Sequence, residues 1–370
     1  MRGRFVFSGY TSLTRQSAGS VNIDREGRGE AMRPQLVRQV LETSIRAKQN
    51  MMLVGAPGCG KTDLAHQASN GIADLLLFHP VVSDPTDFKG YPTLKVDTGK
   101  GEFIPFSDLY SLIKADRPTV AFFDDLGQAM PSVQAAVMQL ILGGAVGSHK
   151  VNLDHVVFWA ATNRREDMAG VQGILEPVKS RFISIVQVEQ NIEDWTKWAL
   201  SIGHVEPDVV GFLNFKPEYL TKFEPTKAMT NSPSARTITH LSDIIQAGYP
   251  GEALFDLFVG AAGEAAATEF MAFRRDYKRL PDIDLILLEP KSAPVPAIQE
   301  PALLYAVCGA LSARVDLRNF DKAIQYVERL PAEFTVLAMK MIVGKNGPNV
   351  QNNRAFIEWA SRNQEVLFDG

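Results

Sequence analysis

The segment Gly55–Thr62 constrains the fold of this chain more than any other, because its letters GAPGCGKT match the pattern G-x-x-x-x-G-K-T. A short apolar run, Met51–Val54, precedes it, and a helical pattern over Asp63–Ala68 follows it. Strand, glycine-rich loop and helix in this order predict a phosphate-binding loop, or P-loop, in which backbone N–H groups and the helix N-terminus surround phosphate oxygens. The predicted binding residues are Gly55, Ala56, Pro57, Gly58, Cys59, Gly60, Lys61 and Thr62.

A second feature is the buried-strand pattern over Thr119–Phe123, which ends in Asp124 and Asp125. A carboxylate at the end of such a strand holds Mg²⁺ in P-loop proteins. We therefore expect Asp124 and the Thr62 hydroxyl to be the metal ligands, and Asp125 to polarise an attacking water. The chain has no guanine-selecting N-K-x-D motif, so the predicted ligands are ATP and Mg²⁺.

Three later polar residues complete the predicted site. Asn163 follows the apolar run His155–Ala161, where its amide either contacts the γ-phosphate or the water, or serves as an ordinary turn residue. Arg181 precedes the strand pattern Ile183–Val188, on the side away from the P-loop, so it can reach only the nucleotide of a neighbouring chain.

The third residue, Arg236, falls in the first turn of a helix that opens at Ser232–Thr237. A cation there opposes the helix dipole by a few tenths of a kcal/mol. A contact from Arg236 to phosphate would explain why a cation stands at this position.

Taken together, these motifs resemble the AAA+ ATPases, and more narrowly the MoxR-like group with its CbbQ and NorQ type. Two further segments fit that group: a long insertion over residues 83–105 and a hairpin pattern over residues 143–151. The resemblance implies an α/β P-loop core with a parallel sheet, followed by an all-α lid. It also implies a ring oligomer, a hexamer, that hydrolyses Mg-ATP as a chaperone-like enzyme and remodels or activates a client protein, with a von Willebrand factor A domain protein as its partner.

One residue departs from the resemblance, since Asp125 stands where the family usually has Glu. A nucleotide-sensing scaffold with weak hydrolysis is therefore one alternative. A nucleic-acid motor is another, supported by Lys89, Lys95 and Lys100 on the insertion and by His149 and Lys150 on the hairpin. With 38 Lys and Arg against 42 Asp and Glu, the chain has no overall basic excess for nucleic acid.

The pattern of caps, breakers and apolar repeats divides the chain into four parts. We predict a flexible arm over residues 1–31, the α/β core over 32–188, the helical lid over 189–280 and a C-terminal helical extension over 281–370. Trp195 and Trp198 are interpreted as lid core rather than as a platform for a ligand. The two cysteines, Cys59 and Cys308, form no zinc or disulfide pattern, and no apolar stretch reaches the roughly 18–20 residues of a membrane span. A cytoplasmic location is expected.

Overall fold

The structure is a computed structural model that describes residues 31–363, apart from residues 97–98, 147, 168–169, 171 and 225–228. The predicted N-terminal arm lies outside the described residues except for Ala31, and so do residues 364–370 of the predicted extension. None of the helices among the described residues combines the length and the apolar character that a membrane crossing needs.

The described chain begins with an α/β part and continues as an all-helical part. The strands are β1 (Met51–Val54), β2 (Asp74–Phe78), β3 (Tyr91–Lys95), β4 (Lys100–Ile104), β5 (Thr119–Phe123), β6 (Ala145–Val146), β7 (His149–Lys150), β8 (Val156–Thr162) and β9 (Ser184–Gln187). The helices of the α/β part are α1 (Pro34–Ala47), α2 (Lys61–Ser69), α3 (Pro85–Lys89), α4 (Ser107–Ile113), α5 (Pro131–Gly143) and α6 (Glu176–Lys179). Short 3-10 helices lie at Pro80–Val82, Leu126–Gln128 and Arg165–Asp167.

Five of these strands form one sheet within the described residues, in the order β2-β5-β8-β1-β9, and all neighbours run parallel. Every residue of β5 and β8 is buried, as expected of continuous apolar runs in a sheet covered on both faces. Side chains alternate along β5: Val120 and Phe122 pack in the core with α1 and α2, whereas Ala121 and Phe123 pack with α4 and α5.

The carboxyl ends of the central strands meet at one edge of the sheet. Val54 of β1 lies beside Thr162 of β8, and Phe123 of β5 lies beside Ala160, two residues earlier. The P-loop, Asp124 and Asn163 each follow one of these strands, so the parallel register brings three distant segments together.

Two antiparallel hairpins, β3–β4 and β6–β7, project from the α/β part. They occupy the predicted insertion and the predicted hairpin segment. Glu102 of β4 accepts a hydrogen bond from Ser148 Oγ at 2.7 Å, which joins the two hairpins. Leu94, Val96 and Phe103 of the β3–β4 hairpin are exposed apolar residues.

The remainder of the described chain is helical. Its helices are α7 (Ile192–Ser201), α8 (Pro207–Phe215), α9 (Ala235–Ala247), α10 (Leu254–Ala262), α11 (Glu264–Tyr277), α12 (Ile283–Leu288), α13 (Pro301–Arg314), α14 (Phe320–Val327), α15 (Ala332–Asn346), α16 (Pro348–Gln351) and α17 (Arg354–Arg362), with 3-10 helices at Pro217–Leu220 and Gly251–Ala253. One apolar core runs from Trp195 to Trp359 and is continuous across residue 280, where the sequence predicted the end of the lid.

The structure confirms the predicted fold class: an α/β part with a parallel sheet and a P-loop, followed by a helical C-terminal part. The three boundaries between the four predicted parts stay predictions.

Candidate functional site

The P-loop connects β1 to α2 with a backbone that depends on glycine. Gly58 and Gly60 have φ angles of 70° and 86°, in the left-handed region that other residues rarely adopt. A Cβ on Gly55 would lie 2.8 Å from Cys59 Sγ, so the loop closes too tightly there for a side chain. No described side chain caps the start of α2. Its first N–H groups and its positive dipole end are therefore directed at the loop, as anion binding requires.

Lys61 is buried at the base of this loop, with 6% of its surface exposed. Its ammonium group donates to Gly55 O at 2.9 Å, to Ala56 O at 3.0 Å and to Asn163 Oδ1 at 2.7 Å. A buried cation is tolerated only where its hydrogen-bonding capacity is satisfied. The three oxygen acceptors hold the positive charge of Lys61 beneath the glycine-rich loop.

Thr62 and Asp124 are brought together beside Lys61. The Thr62 hydroxyl donates to Asp124 Oδ2 at 2.7 Å, and the backbone N–H of Asp125 donates to Asp124 Oδ1 at 3.0 Å. A hydroxyl and a carboxylate are oxygen ligands of the kind that Mg²⁺ takes, with nucleotide phosphates and water completing its coordination. The two predicted metal ligands therefore fit Mg²⁺. Among the described residues, no group of three or more His, Cys, Asp or Glu could hold a metal alone.

Asn163 links the P-loop lysine to the second aspartate. Besides accepting from Lys61, its amide donates through Nδ2 to Asp125 Oδ1 at 3.2 Å. Asn163 is only 8% exposed, so this orientation is set by buried partners. The alternative interpretation of Asn163 as an ordinary turn residue does not account for these two contacts.

Asp125 occupies an unusual backbone position for an aspartate, with a φ of 54° at the start of the 3-10 helix Leu126–Gln128. Burial and the negative charge of Asp124 raise the pKa of its carboxyl above the ordinary value. The positive charges of Lys61, Arg236 and His79 act in the opposite direction. A carboxylate with a raised pKa next to the carboxylate predicted to bind the metal suits a proton acceptor.

The helix α9 begins directly against the P-loop. The backbone N–H of Arg236 donates to Gly58 O at 3.3 Å, and a Cβ on Gly58 would lie 2.7 Å from Ser234 Oγ. Ser234 and Thr237 cap this end of the helix reciprocally. The exposed side chain of Arg236 therefore starts from a backbone anchored to the phosphate-binding loop.

A cavity of about 350 Å³ opens between the P-loop, α1, α2, α7 and α9. Arg236 lies in its wall, and so do Trp195 and Trp198 of α7. The interpretation of both tryptophans as lid core alone is therefore incomplete. Trp195 belongs to the core and is 6% exposed, but the half-buried Trp198 offers aromatic surface to the cavity.

Arg181 lies at the opposite edge of the sheet from its own P-loop. Ser184 of β9 is paired with Met51 at the start of β1, whereas the P-loop follows Val54 at the other end. Arg181 precedes Ser184 in the chain and so lies at the amino ends of the strands, whereas the P-loop lies at their carboxyl ends. The length of β1 separates these two ends by about 10 Å. Asn50 Nδ2 donates to Arg181 O at 3.3 Å, and no described residue accepts a hydrogen bond from the buried Nε of Arg181.

Sequence reasoning missed two positions around the site, Asp194 and Gln134. Asp194 of α7 accepts from the backbone N–H of Gln35 at 2.9 Å and pairs with the guanidinium of Arg33, so it joins α7 to α1 across the cavity. Gln134 of α5 is fully buried and makes three hydrogen bonds between loops. In the sequence, Asp194 is only an acidic residue in the first turn of a helix. Such a residue ordinarily interacts with the dipole of its own helix, so the sequence does not indicate its contact with α1.

Comparisons with known proteins add a likeness in fold. No family model matches the chain, and no curated protein matches it. A solved structure of the RuvB Holliday junction branch migration motor of Thermotoga maritima is 16% identical, over 76% of this chain and 81% of that one, with a TM-score of 0.36. NtrX of Brucella abortus in complex with ADP is 12% identical, over 90% of this chain and 68% of that one, with a TM-score of 0.39. The functional argument below rests on the site of this chain alone.

Proposed function

We propose that this chain is an AAA+ ATPase of the MoxR-like type, which hydrolyses Mg-ATP in a ring and uses the cycle to remodel or activate a client protein. The observation that carries this proposal is the continuous set of contacts from Lys61 through Asn163 to Asp125, beside the Thr62–Asp124 pair. A P-loop that only bound a nucleotide would not need a second carboxylate linked through Asn163 to its lysine.

In the proposed reaction, the P-loop N–H groups and Lys61 hold the β- and γ-phosphates. Thr62 and Asp124 would hold Mg²⁺, which supplies positive charge to the phosphate oxygens. A water attacks the γ-phosphorus, the bond to the bridging oxygen of ADP breaks, and ADP and inorganic phosphate leave. Asp125 accepts the proton of the water, and Asn163 keeps the Asp125 carboxylate in position.

The base and ribose of ATP are assigned to the cavity between α1, α7 and α9. That cavity begins at Gly58 and Gly60 of the P-loop and has apolar surface from Trp198. An aromatic wall suits a flat base. Arg236, at the junction of cavity and P-loop, is assigned to contact the γ-phosphate and so to link α9 to the state of the nucleotide.

The ring follows from the position of Arg181. This arginine lies at the far edge of its own sheet and has an unpartnered buried Nε among the described residues. It is therefore assigned to the nucleotide of the next chain, where it would stabilise charge on the transferring phosphoryl group. Repetition of this head-to-tail contact gives a ring where the rotation between successive chains closes, and an open filament otherwise. The family resemblance favours the ring and gives six chains as the expected number.

The client-binding assignment rests on the two hairpins. The β3–β4 hairpin presents Leu94, Val96 and Phe103 to solvent, and Glu102 joins it to the β6–β7 hairpin near β8. We assign β8 and the two hairpins as the path by which a change at the nucleotide moves the exposed apolar surface of the β3–β4 hairpin, which suits contact with a protein. A partner with a von Willebrand factor A domain is proposed on the family resemblance.

Phosphate release tests the ATPase directly. We expect the wild-type chain with Mg²⁺ to hydrolyse ATP, and Lys61→Ala to lower kcat by about 10²-fold or more. Lys291→Ala, at an exposed position far along the chain from the P-loop, is the matched control and should leave kcat unchanged. Equal rates for the wild type and Lys61→Ala would contradict the proposal.

The client is tested by co-purification from native cells with Asp125→Asn, which is expected to hold ATP and to retain its partner. Recovery of a von Willebrand factor A domain protein, lost when the β3–β4 hairpin carries Leu94→Ser and Phe103→Ser, is the expected result. ATP turnover stimulated by DNA, with salt-sensitive DNA binding, would instead support a nucleic-acid motor.

A further inference from the structure

Gln134 is a buried polar side chain that the proposed reaction does not use. It lies on α5 with 1% of its surface exposed. Its Nε2 donates to Ala129 O at 3.0 Å and to Gly173 O at 2.9 Å, while its Oε1 accepts from the backbone N–H of Leu175 at 3.0 Å. Both amide hydrogens and the amide oxygen are thus committed, as a buried polar side chain requires.

The two loops joined by Gln134 serve different halves of the proposed site. Ala129 ends the turn that begins at Asp125. Gly173 and Leu175 lead into α6, and Arg181 follows α6 by two residues. Gln134 therefore bridges the segment that carries the proton acceptor and the segment that carries the arginine offered to the next chain.

Other contacts fasten the same two segments near Gln134. Gly127 O accepts from the backbone N–H groups of Gln172 and Gly173, at 3.1 and 3.2 Å. A Cβ on Gly127 would lie 2.1 Å from Thr162 Oγ1, so this turn is also pressed against the end of β8. Beyond Leu175, Val178 of α6 is fully buried in the core. Its backbone N–H donates to Leu175 O at 2.9 Å, and its carbonyl accepts from the N–H of Arg181 at 3.0 Å, so backbone contacts join Leu175 to Arg181.

We propose that Gln134 is a positioning residue that sets Arg181 relative to the Asp125 turn of its own chain, and so couples successive ATP sites around the ring. This inference rests on the proposed function. The Asp125 turn is also held by the contacts of Asp124 and Asn163. Before α6, Gln134 makes hydrogen bonds to the backbone of both Gly173 and Leu175, while the buried Val178 and the contact of Asn50 with Arg181 O hold the segment further along. Loss of the Gln134 amide should therefore disturb the arginine donated to the neighbour more than the chain's own nucleotide site.

Mixed rings separate these two effects. A chain with Lys61→Ala lacks a working P-loop but still donates Arg181, whereas a chain with Arg181→Ala has the P-loop but donates no arginine. Neither variant alone should hydrolyse ATP at the wild-type rate, but a 1:1 mixture reassembled into rings contains interfaces with both parts and should regain activity. If this parent mixture stays inactive, the shared site and the inference both fail, before any change at Gln134.

Gln134→Met, which keeps the length of the side chain and removes its hydrogen bonds, is then placed in one partner at a time. In the Lys61→Ala chain we expect it to lower the kcat of the mixture at least about tenfold, because small displacements of a catalytic group are costly, with KM for ATP unchanged. In the Arg181→Ala chain we expect kcat within about twofold of the parent mixture. Gln139→Met, at an exposed position on the same helix, is the control and should have no effect in either chain.

Equal losses in both placements would show that Gln134 supports the fold of each chain rather than the donated arginine, and would overturn the inference. No loss in either placement would overturn it as well. Thermal melting of each variant checks folding. If Gln134→Met does not fold, Gln134→Asn, which keeps the amide but shortens its reach by one methylene, is tested with the same readouts.

Discussion

The side-chain amide of Asn163 donates a hydrogen bond to the carboxylate of Asp125 across 3.2 Å, between the ends of two neighbouring strands. The same amide accepts from Lys61 at 2.7 Å. One buried residue thus connects the group that binds phosphate to the group assigned to accept the proton of water. The functional predictions below follow from this connection.

Asn163→Ala should lower kcat while leaving KM for ATP nearly unchanged. The substitution removes hydrogen bonds to two charged groups, and such bonds contribute about 1.5–3 kcal/mol, which corresponds to roughly 10- to 150-fold in rate. Steady-state phosphate release measures both constants. Asn352→Ala, at an exposed position near the C-terminus, is the control, and an Asn163→Ala enzyme with a wild-type kcat would rule out this role for the amide.

Two substitutions at Asp125, to Asn and to Glu, test its role as the proton acceptor. Asp125→Asn should abolish turnover and preserve ATP binding, because an amide cannot accept the proton. Asp125→Glu introduces the residue usual in the resembled family and should keep turnover near the wild-type rate, because it retains a carboxylate. Full activity in Asp125→Asn would refute the assignment, while slow turnover in the wild type that Asp125→Glu speeds up would favour the nucleotide-sensing alternative.

The pH dependence of kcat/KM should reflect the raised pKa of Asp125. The carboxylate is active only when deprotonated, so the rate falls with decreasing pH through a pKa that lies above that of an ordinary aspartate. Arg236 lowers this pKa, so Arg236→Gln should raise it further and move the acid limb to higher pH. Arg236→Lys keeps the positive charge and should leave the limb near the wild-type position; an unmoved limb in Arg236→Gln would contradict the electrostatic link.

Trp198 should report on ATP through its position in the cavity wall. If the base packs against it, Trp198→Ala removes an aromatic contact of about 0.5–1.5 kcal/mol and raises KM for ATP about 2- to 10-fold. Tryptophan fluorescence should change when ATP is added to the wild type and to Trp359→Phe, whose residue is fully buried in the helical part. Trp195 also lines the cavity, so the contradicting result is a fluorescence change as large in Trp198→Phe as in the wild type, together with an unchanged KM for ATP in Trp198→Ala.

Much of the site could be predicted from the sequence because its residues follow apolar runs. Thr119–Phe123 and Val156–Thr162 are buried on both faces, and the carboxyl ends of parallel strands meet at one edge. The P-loop could be located because the motif Gly55–Thr62 comes directly after the apolar run Met51–Val54. In each case a local pattern was sufficient to place the functional group.

The remaining parts depend on contacts between residues far apart in the chain. Asp194 contacts Gln35 across 159 positions of the chain. Gln134 is one of several polar residues of α5, and only the placement of the loop near Gly173 shows what its amide binds. The continuity of the helical core across residue 280 has the same origin. These relationships arise from tertiary packing, which helix and strand periodicity do not encode.

The dependence of specific ATPase activity on protein concentration tests whether the site is completed by a neighbouring chain. Activity per chain should be measured over a dilution series, with the oligomer mass determined at each concentration in the presence of Mg-ATP. We expect activity per chain to rise with the assembled fraction and to reach a plateau when assembly is complete, while assembled Arg181→Ala remains far below that plateau. Activity per chain that stays constant down to concentrations where the protein is monomeric would contradict the shared site.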